Sequence, residues 1–220
     1  MIQPDTIIYS KRKTLSIAID PFGRLTVRAP KGYSRARIEA FLQEKEAWIL
    51  RKKSERRGTG IELPPENLHG YKFLLLGKET EIVLSQTKYI VYDKAQNCVV
   101  LPEKKAQEKL VKWLKENAKR IFSNVTEEWA KKMDVSYASV TITSARGRWG
   151  SCSAENALRY SFRLLYAPKE VIEYVIVHEL AHVKHKNHSP LFWREVEKYI
   201  PDWKEKRAWL KKYSALMQVF

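Results

Sequence analysis

The segment Val177-His-Glu-Leu-Ala-His-Val-Lys-His-Lys-Asn-His188 holds four of the five histidines, His178, His182, His185 and His188; the fifth is His69. Within it, His178-Glu179-Leu180-Ala181-His182 sets two imidazoles four residues apart. On a helix, positions i and i+4 share a face with β-carbons about 5–6 Å apart, so both rings reach one metal ion at about 2.1 Å. Glu179 stands beside them, not needed as a ligand and able to hold a water and take its proton. The preceding residues supply the helix. Pro168 suits a first helical position, and Glu170 and Glu173 lie near the positive end of the dipole. Val171, Ile172, Val175 and Ile176 form a thick apolar face, which predicts a helix buried in the core. Imidazoles and a carboxylate on such a helix cost free energy unless something satisfies them, as a metal would.

The third ligand is decided by helical rise. At about 1.5 Å per residue, His185 lies about 10 Å along the axis from His178, too far for three rings on one straight helix to share an ion. His188 does better, because Asn187 can take an αL conformation that ends the helix. Ser189-Pro190 then reads as the cap and first residue of a new helix, Leu191 to Ile200. His188 projects from that bend back over the ion, and His185 becomes a surrounding or surface residue.

Upstream, Arg146-Gly-Arg-Trp-Gly-Ser-Cys-Ser153 reads as a Gly-punctuated loop. Leu158, Tyr160, Phe162 and Leu164 alternate strictly, predicting a strand that ends near Tyr166. If that strand is an edge it can pair with an extended peptide; if internal, it has no ligand role. Arg148, Tyr160 and Tyr166 are the candidates for binding substrate and polarising a carbonyl. Cys152 has no second cysteine nearby and reads as a buried structural thiol.

Further out, Val140-Thr-Ile-Thr143 reads as a strand. Leu110, Trp113, Leu114, Ile121, Val125 and Trp129 recur at helical spacing, as one long helix or two. Strands are expected at Lys72–Leu76, Glu81–Leu84, Tyr89–Tyr92 and Cys98–Leu101. Nearer the start, Leu15, Ile17, Ile19, Leu25 and Val27 alternate around the turn residues Asp20-Pro-Phe-Gly23. Ser34 caps an expected helix with Ile38, Phe41, Leu42, Trp48 and Ile49 on its apolar face, ending in the basic run Arg51 to Arg57. The fold class expected is α+β: a β-rich N-terminal domain with one amphipathic helix over 1–103, then an α+β catalytic domain over 104–220.

Composition bounds the rest. The 220 residues are 44% hydrophobic with a formal charge of +16, too apolar for a disordered chain. No apolar run approaches the ~20 residues of a membrane helix, and the first residues predict no signal peptide. Cys98 and Cys152 cannot form a disulfide framework, so a soluble cytoplasmic protein is expected. Half the excess charge, 14 Lys/Arg against 6 Asp/Glu, lies in residues 1–60. That region is a candidate for sequence-independent nucleic-acid contact through counterion release, although the same charges also serve as a solvated face.

Trp149-Gly-Ser-Cys-Ser153, Tyr166-Ala-Pro-Lys-Glu-Val-Ile172, His178-Glu-Leu-Ala-His182 and His188-Ser-Pro-Leu-Phe-Trp193 together resemble the YgjP-like metallopeptidase family, relatives of SprT and Spartan proteases. Ser10-Lys-Arg-Lys-Thr-Leu15 and Val27-Arg-Ala-Pro-Lys-Gly32 extend the resemblance over nearly the whole chain. It implies a zincin-like domain, zinc on His178, His182 and His188, Glu179 as catalytic base, and peptide or protein substrates. The ligand spacing equals that of metzincins, but His185 stands at their glycine and no Met-turn follows. The expected function is zinc-dependent hydrolysis of peptides. The alternatives are metal-dependent hydrolysis of nucleotides or other phosphates, a DNA-associated protease with a basic binding surface, and a module in which zinc only holds the fold.

Overall fold

The alternation of apolar residues at the N-terminus builds a three-stranded sheet of β1 (Thr6–Ser10), β2 (Ser16–Ile19) and β3 (Leu25–Pro30), in the order β1-β3-β2. β1 runs parallel to β3 and β2 antiparallel to it. Asp20 makes the turn: its Oδ1 accepts from the backbone N–H of Phe22 and of Arg24, both at 2.9 Å. The computed structural model describes residues 2–20, 22–57 and 61–220, and the side chains of 55–57 also lie outside the described set.

Ser34 caps a helix as expected, its hydroxyl accepting from the Arg37 N–H at 3.4 Å. The single helix predicted here is two, however: α1 (Arg35–Glu44) and α2 (Glu46–Arg57), broken where Lys45 leaves helical geometry at φ −95, ψ 8. The break shifts the apolar register. Ile49 continues the buried face of Ile38 and Leu42, against Leu25, Val27 and Ala29, while Trp48 is 37% exposed rather than in the core.

This first unit comprises Met1–Glu62 with Lys212–Ala215, and Leu63–Lys211 with Leu216–Phe220 form the second. The boundary expected at 103/104 falls inside the second unit. There β4 (Lys72–Leu75), β5 (Lys78–Ser85), β6 (Val91–Asp93) and β7 (Cys98–Pro102) form a sheet in the order β4-β5-β7-β6. One helix, α3 (Ala106–Met133), follows, with Leu110, Leu114, Ala118, Phe122, Thr126, Ala130 and Met133 as its buried stripe.

A second three-stranded sheet carries β8 (Ser139–Thr143), β9 (Gly150–Cys152) and β10 (Ala157–Ser161), in the order β8-β10-β9. Two expectations change here. Residues 150–152, expected as loop, form the edge strand β9. β10 is the middle strand and stops at Ser161, after which Phe162–Tyr166 is a 3-10 turn with all five side chains buried. Arg163 explains the stop. Its guanidinium is buried and donates to the carbonyls of Val219 and Ser144, both at 2.9 Å, and of Phe220, so the backbone must turn it inward rather than alternate.

The helices α4 (Lys169–Lys184), α5 (Pro190–Tyr199) and α6 (Trp203–Lys212) complete the chain. The β4–β5 hairpin braces the start of α4. Its turn holds Leu76 at φ 52 and Gly77 at φ 78, and their N–H groups donate to the carbonyls of Leu165 and Tyr166 at 2.7 and 3.2 Å. A β-carbon on Gly77 would stand 2.7 Å from Pro168 Cγ, so only glycine suits both the angle and the approach. Among the described residues no helix is long and apolar enough to cross a membrane.

Candidate metal centre

Burial of Val171, Ile172, Val175 and Ile176 fixes the rotation of α4, and with it the direction of His178 and His182. Lys184 secures the far end, its ammonium donating to the Met133 carbonyl at 2.7 Å and to Glu195 at 3.0 Å. The helix then stops at Lys184, three residues before the αL exit expected at Asn187. Asn187 takes no positive φ; instead His185 turns extended, at φ −129, ψ 99. This exit aims the His185 carbonyl back at His182, whose Nδ1 donates to it at 2.9 Å. That bond places the His182 proton on Nδ1 and leaves Nε2 with its lone pair. Ser189 caps α5 as expected, accepting from the Phe192 N–H at 3.5 Å with Pro190 first in the helix.

The bend delivers His188 to the pair on α4. One ring nitrogen from each of His178, His182 and His188 lies within 4.8 Å of the others, and Nε2 of His178 and Nε2 of His188 are 3.1 Å apart. Ligands of one tetrahedral ion with bonds of about 2.1 Å stand about 3.4 Å apart. Phe192 packs under all three rings, at centroid distances of 4.8, 4.4 and 4.8 Å. Trp193 stacks on His188 at 5.6 Å and on Trp203 at 4.1 Å.

This setting disfavours the charged form of two of the imidazoles. Burial, with His182 and His188 beside it, holds the His178 pKa down to about 3. Burial lowers that of His182 as well, against the opposing His185 carbonyl. Three converging imidazole nitrogens, those of His178 and His182 on desolvated rings, are a donor set that fits a borderline-soft divalent ion.

Glu179, only 6% exposed, faces the inner side of β9. Burial pushes its carboxyl up to about 8, opposed by the field of Arg148. The room for it comes from Gly150: a β-carbon there would meet Glu179 Oε1 at 2.7 Å and Cγ at 2.8 Å. Gly150 is thus more than loop punctuation. A glycine paired inside a strand, here opposite Tyr160, is the signal for such a close approach.

The remaining candidates separate. Arg148 is exposed and near enough to act on Glu179. Tyr160 is fully buried, its ring against Phe122 at 5.9 Å; burial raises its pKa, with Glu179 contributing. Tyr166 is also fully buried, with its hydroxyl donating to the Val219 carbonyl at 3.4 Å. Alternation along β10 turns Tyr160 to the helix side and Arg159 away, while Tyr166 is buried by the 3-10 turn. His69 accepts from the Leu84 N–H through Nδ1 and has no part in this cluster.

No curated protein matches the chain. Two solved structures are similar to parts of it, both metallopeptidase zymogens. Abylysin of Pyrococcus abyssi is 26% identical with a TM-score of 0.38, over 41% of this chain and 93% of that one. Jannalysin of Methanocaldococcus jannaschii is 21% identical with a TM-score of 0.39, over 42% of this chain and 95% of that one. A family model, that of the YgjP-like metallopeptidase domain, runs from residue 13 to residue 213 and so takes in the β4-β5-β7-β6 and β8-β10-β9 sheets, α4 and the His188 bend. The chain therefore belongs to the YgjP-like metallopeptidase family and is a metal-dependent peptidase.

Proposed function

We propose that the metal is zinc, held by His178, His182 and His188, and that Glu179 is the general base of peptide hydrolysis. The observation that carries this reading is the convergence of three imidazole nitrogens within 4.8 Å, one residue from a buried carboxylate. Three protein ligands leave a coordination position open, the mark of a catalytic rather than a structural zinc. When bound, the ion supplies Lewis acidity, acidifying a water and polarising the scissile carbonyl.

The chain's own groups do the rest. Glu179 accepts the proton of the attacking water and passes it to the leaving amine nitrogen. Gly150 leaves its carboxylate space, and burial of Glu179 limits water around it, so the proton is not lost to solvent. β9 is an edge strand, so an extended peptide can add to it by main-chain hydrogen bonds and lie across Glu179. The phosphate-hydrolase alternative fares worse, since magnesium phosphate chemistry uses carboxylate ligands and this set has none. Two unpaired cysteines, Cys98 and Cys152, suit the reducing cytoplasm. Nucleic-acid contact through the basic N-terminal region is a separate proposal.

The test is metal analysis of the purified protein with hydrolysis of a peptide library, for wild type and Glu179→Gln. Close to one zinc per chain, with turnover in the wild type only, is expected. A protein that binds no zinc, or a Glu179→Gln variant as active as wild type, would overturn the reading.

A further inference from the structure

The sheet β8-β10-β9 has a second face, turned away from Phe122 and the helices. Register puts Arg159 beside Ser151 of β9, and Ser161 beside Thr143 of β8. These side chains, with Arg148 and the backbone of Gly150, line a pocket of about 240 Å³. Among the described residues no carboxylate lines it. The Ser161 hydroxyl donates to the Ala145 carbonyl at 2.8 Å and that of Thr143 to the Tyr160 carbonyl at 3.4 Å. The donors that remain are two guanidiniums and the Ser151 hydroxyl.

Neither the Arg148 nor the Arg159 guanidinium donates a hydrogen bond or sits in an ion pair among the described residues. Arg148 acts at a distance on Glu179, and Arg159 on Glu155. Two guanidiniums lining one concavity repel each other, a cost relieved by a carboxylate held by one or both forks. Gly150 joins the pocket to the chemistry, because the same residue backs Glu179 on the opposite side of the sheet. A peptide paired along β9 sends alternate side chains to the two faces. A residue next to one that lies over Glu179 is thereby directed to the arginines.

We infer that this pocket is a specificity subsite for an acidic side chain, Asp or Glu, of the peptide substrate. The inference rests on the peptidase reading above for the substrate but not for the binding itself. One charge-assisted contact corresponds to about a tenfold preference.

Binding is measured by fluorescence anisotropy on the full-length Glu179→Gln protein, with two labelled peptides that differ only by Glu against Gln. The Glu peptide is expected to bind about tenfold more tightly at low salt. The preference should shrink as salt rises, and fall to about twofold or less in Arg159→Gln and in Arg148→Gln. Arg159 is exposed, and circular dichroism on its variant checks that the fold is kept. Equal affinity for the two peptides, or a preference that both variants retain, would overturn the inference. So would a nucleoside triphosphate that binds more tightly than the Glu peptide and weakens equally in Arg159→Gln, which would assign the arginines to phosphate. Hydrolysis by zinc-loaded wild type separates the two readings. Cleavage of both peptides at equal rate removes the subsite and keeps the peptidase; a Glu preference in binding without any cleavage keeps the subsite and removes the peptidase.

Discussion

The two three-stranded sheets have the same layout and different contents. In each, the first strand runs parallel to the third, and the second lies antiparallel on its other side: β1-β3-β2 and β8-β10-β9. In each, the middle strand buries alternate side chains, Leu25, Val27 and Ala29 in one and Leu158 and Tyr160 in the other. The antiparallel edge is where they part. Opposite Val27 stands Ile17, packed on the core; opposite Tyr160, at the corresponding place, stands Gly150, against which Glu179 closes. A mixed sheet of three strands thus carries no activity in itself. Exchanging an edge isoleucine for a glycine turns a packing position into a socket for a carboxylate.

The largest effect that would break this comparison is at the carboxylate. Glu179→Gln should keep the metal and the fold but lower kcat at least ~100-fold, because an amide cannot take a proton at neutral pH. Steady-state kinetics with metal analysis of the same sample decides it; an active variant would make the socket incidental. Next in size is the ligand contrast. His188→Ala should lose more metal affinity than the ~10–100-fold typical of an outer partner. His185→Ala should keep most of its metal, since its contribution is a backbone carbonyl that alanine retains. Competition with a zinc chelator compares the two, and equal losses would refute the assignment of His188.

The sheet contrast is sharpened by a crossed pair. Gly150→Ala should displace the carboxylate by enough to cost about 10–100-fold in kcat, with metal content unchanged. Ile17→Ala should instead leave kcat alone and cost about 1–2 kcal/mol in denaturant unfolding. If Gly150→Ala lost only stability, the two edges would be equivalent after all. The smallest effect is expected at the basic run. Changing Arg51, Lys52 and Lys53 to glutamine should leave peptide hydrolysis within about twofold. Affinity for a generic DNA duplex should fall at low salt, and its salt dependence should flatten by about 0.9 in slope for each phosphate no longer neutralised. No duplex binding by the wild type at low salt would leave these charges as a solvated face.

What was legible in the sequence was whatever a short period or a short motif encodes. The 3.6-residue recurrence marked α3 and α4, Ser34 and Ser189 announced their helices, and the i, i+4 pair with a third histidine past a bend marked the cluster that the fold assembles. What escaped depends on partners far away in the chain. Nothing local distinguishes Gly150 in a strand from a loop glycine, because the reason for it is Glu179. Phe162 to Tyr166 continued an alternating pattern and yet turned, because the carbonyls that receive Arg163 belong to Ser144, Val219 and Phe220. The break at Lys45 likewise escaped, since Trp48 and Ile49 fit an apolar stripe equally well until Leu25 and Val27 choose Ile49.

The exit of α4 couples two equilibria usually treated apart. The carbonyl of His185 points at His182 only because residue 185 is extended; one more helical turn would direct it along the axis instead. Helix elongation therefore releases the imidazole tautomer, and metal affinity becomes a measure of where the helix stops. A helix-promoting cosolvent would then weaken the hold on a metal at the proposed site without touching His178, His182 or His188.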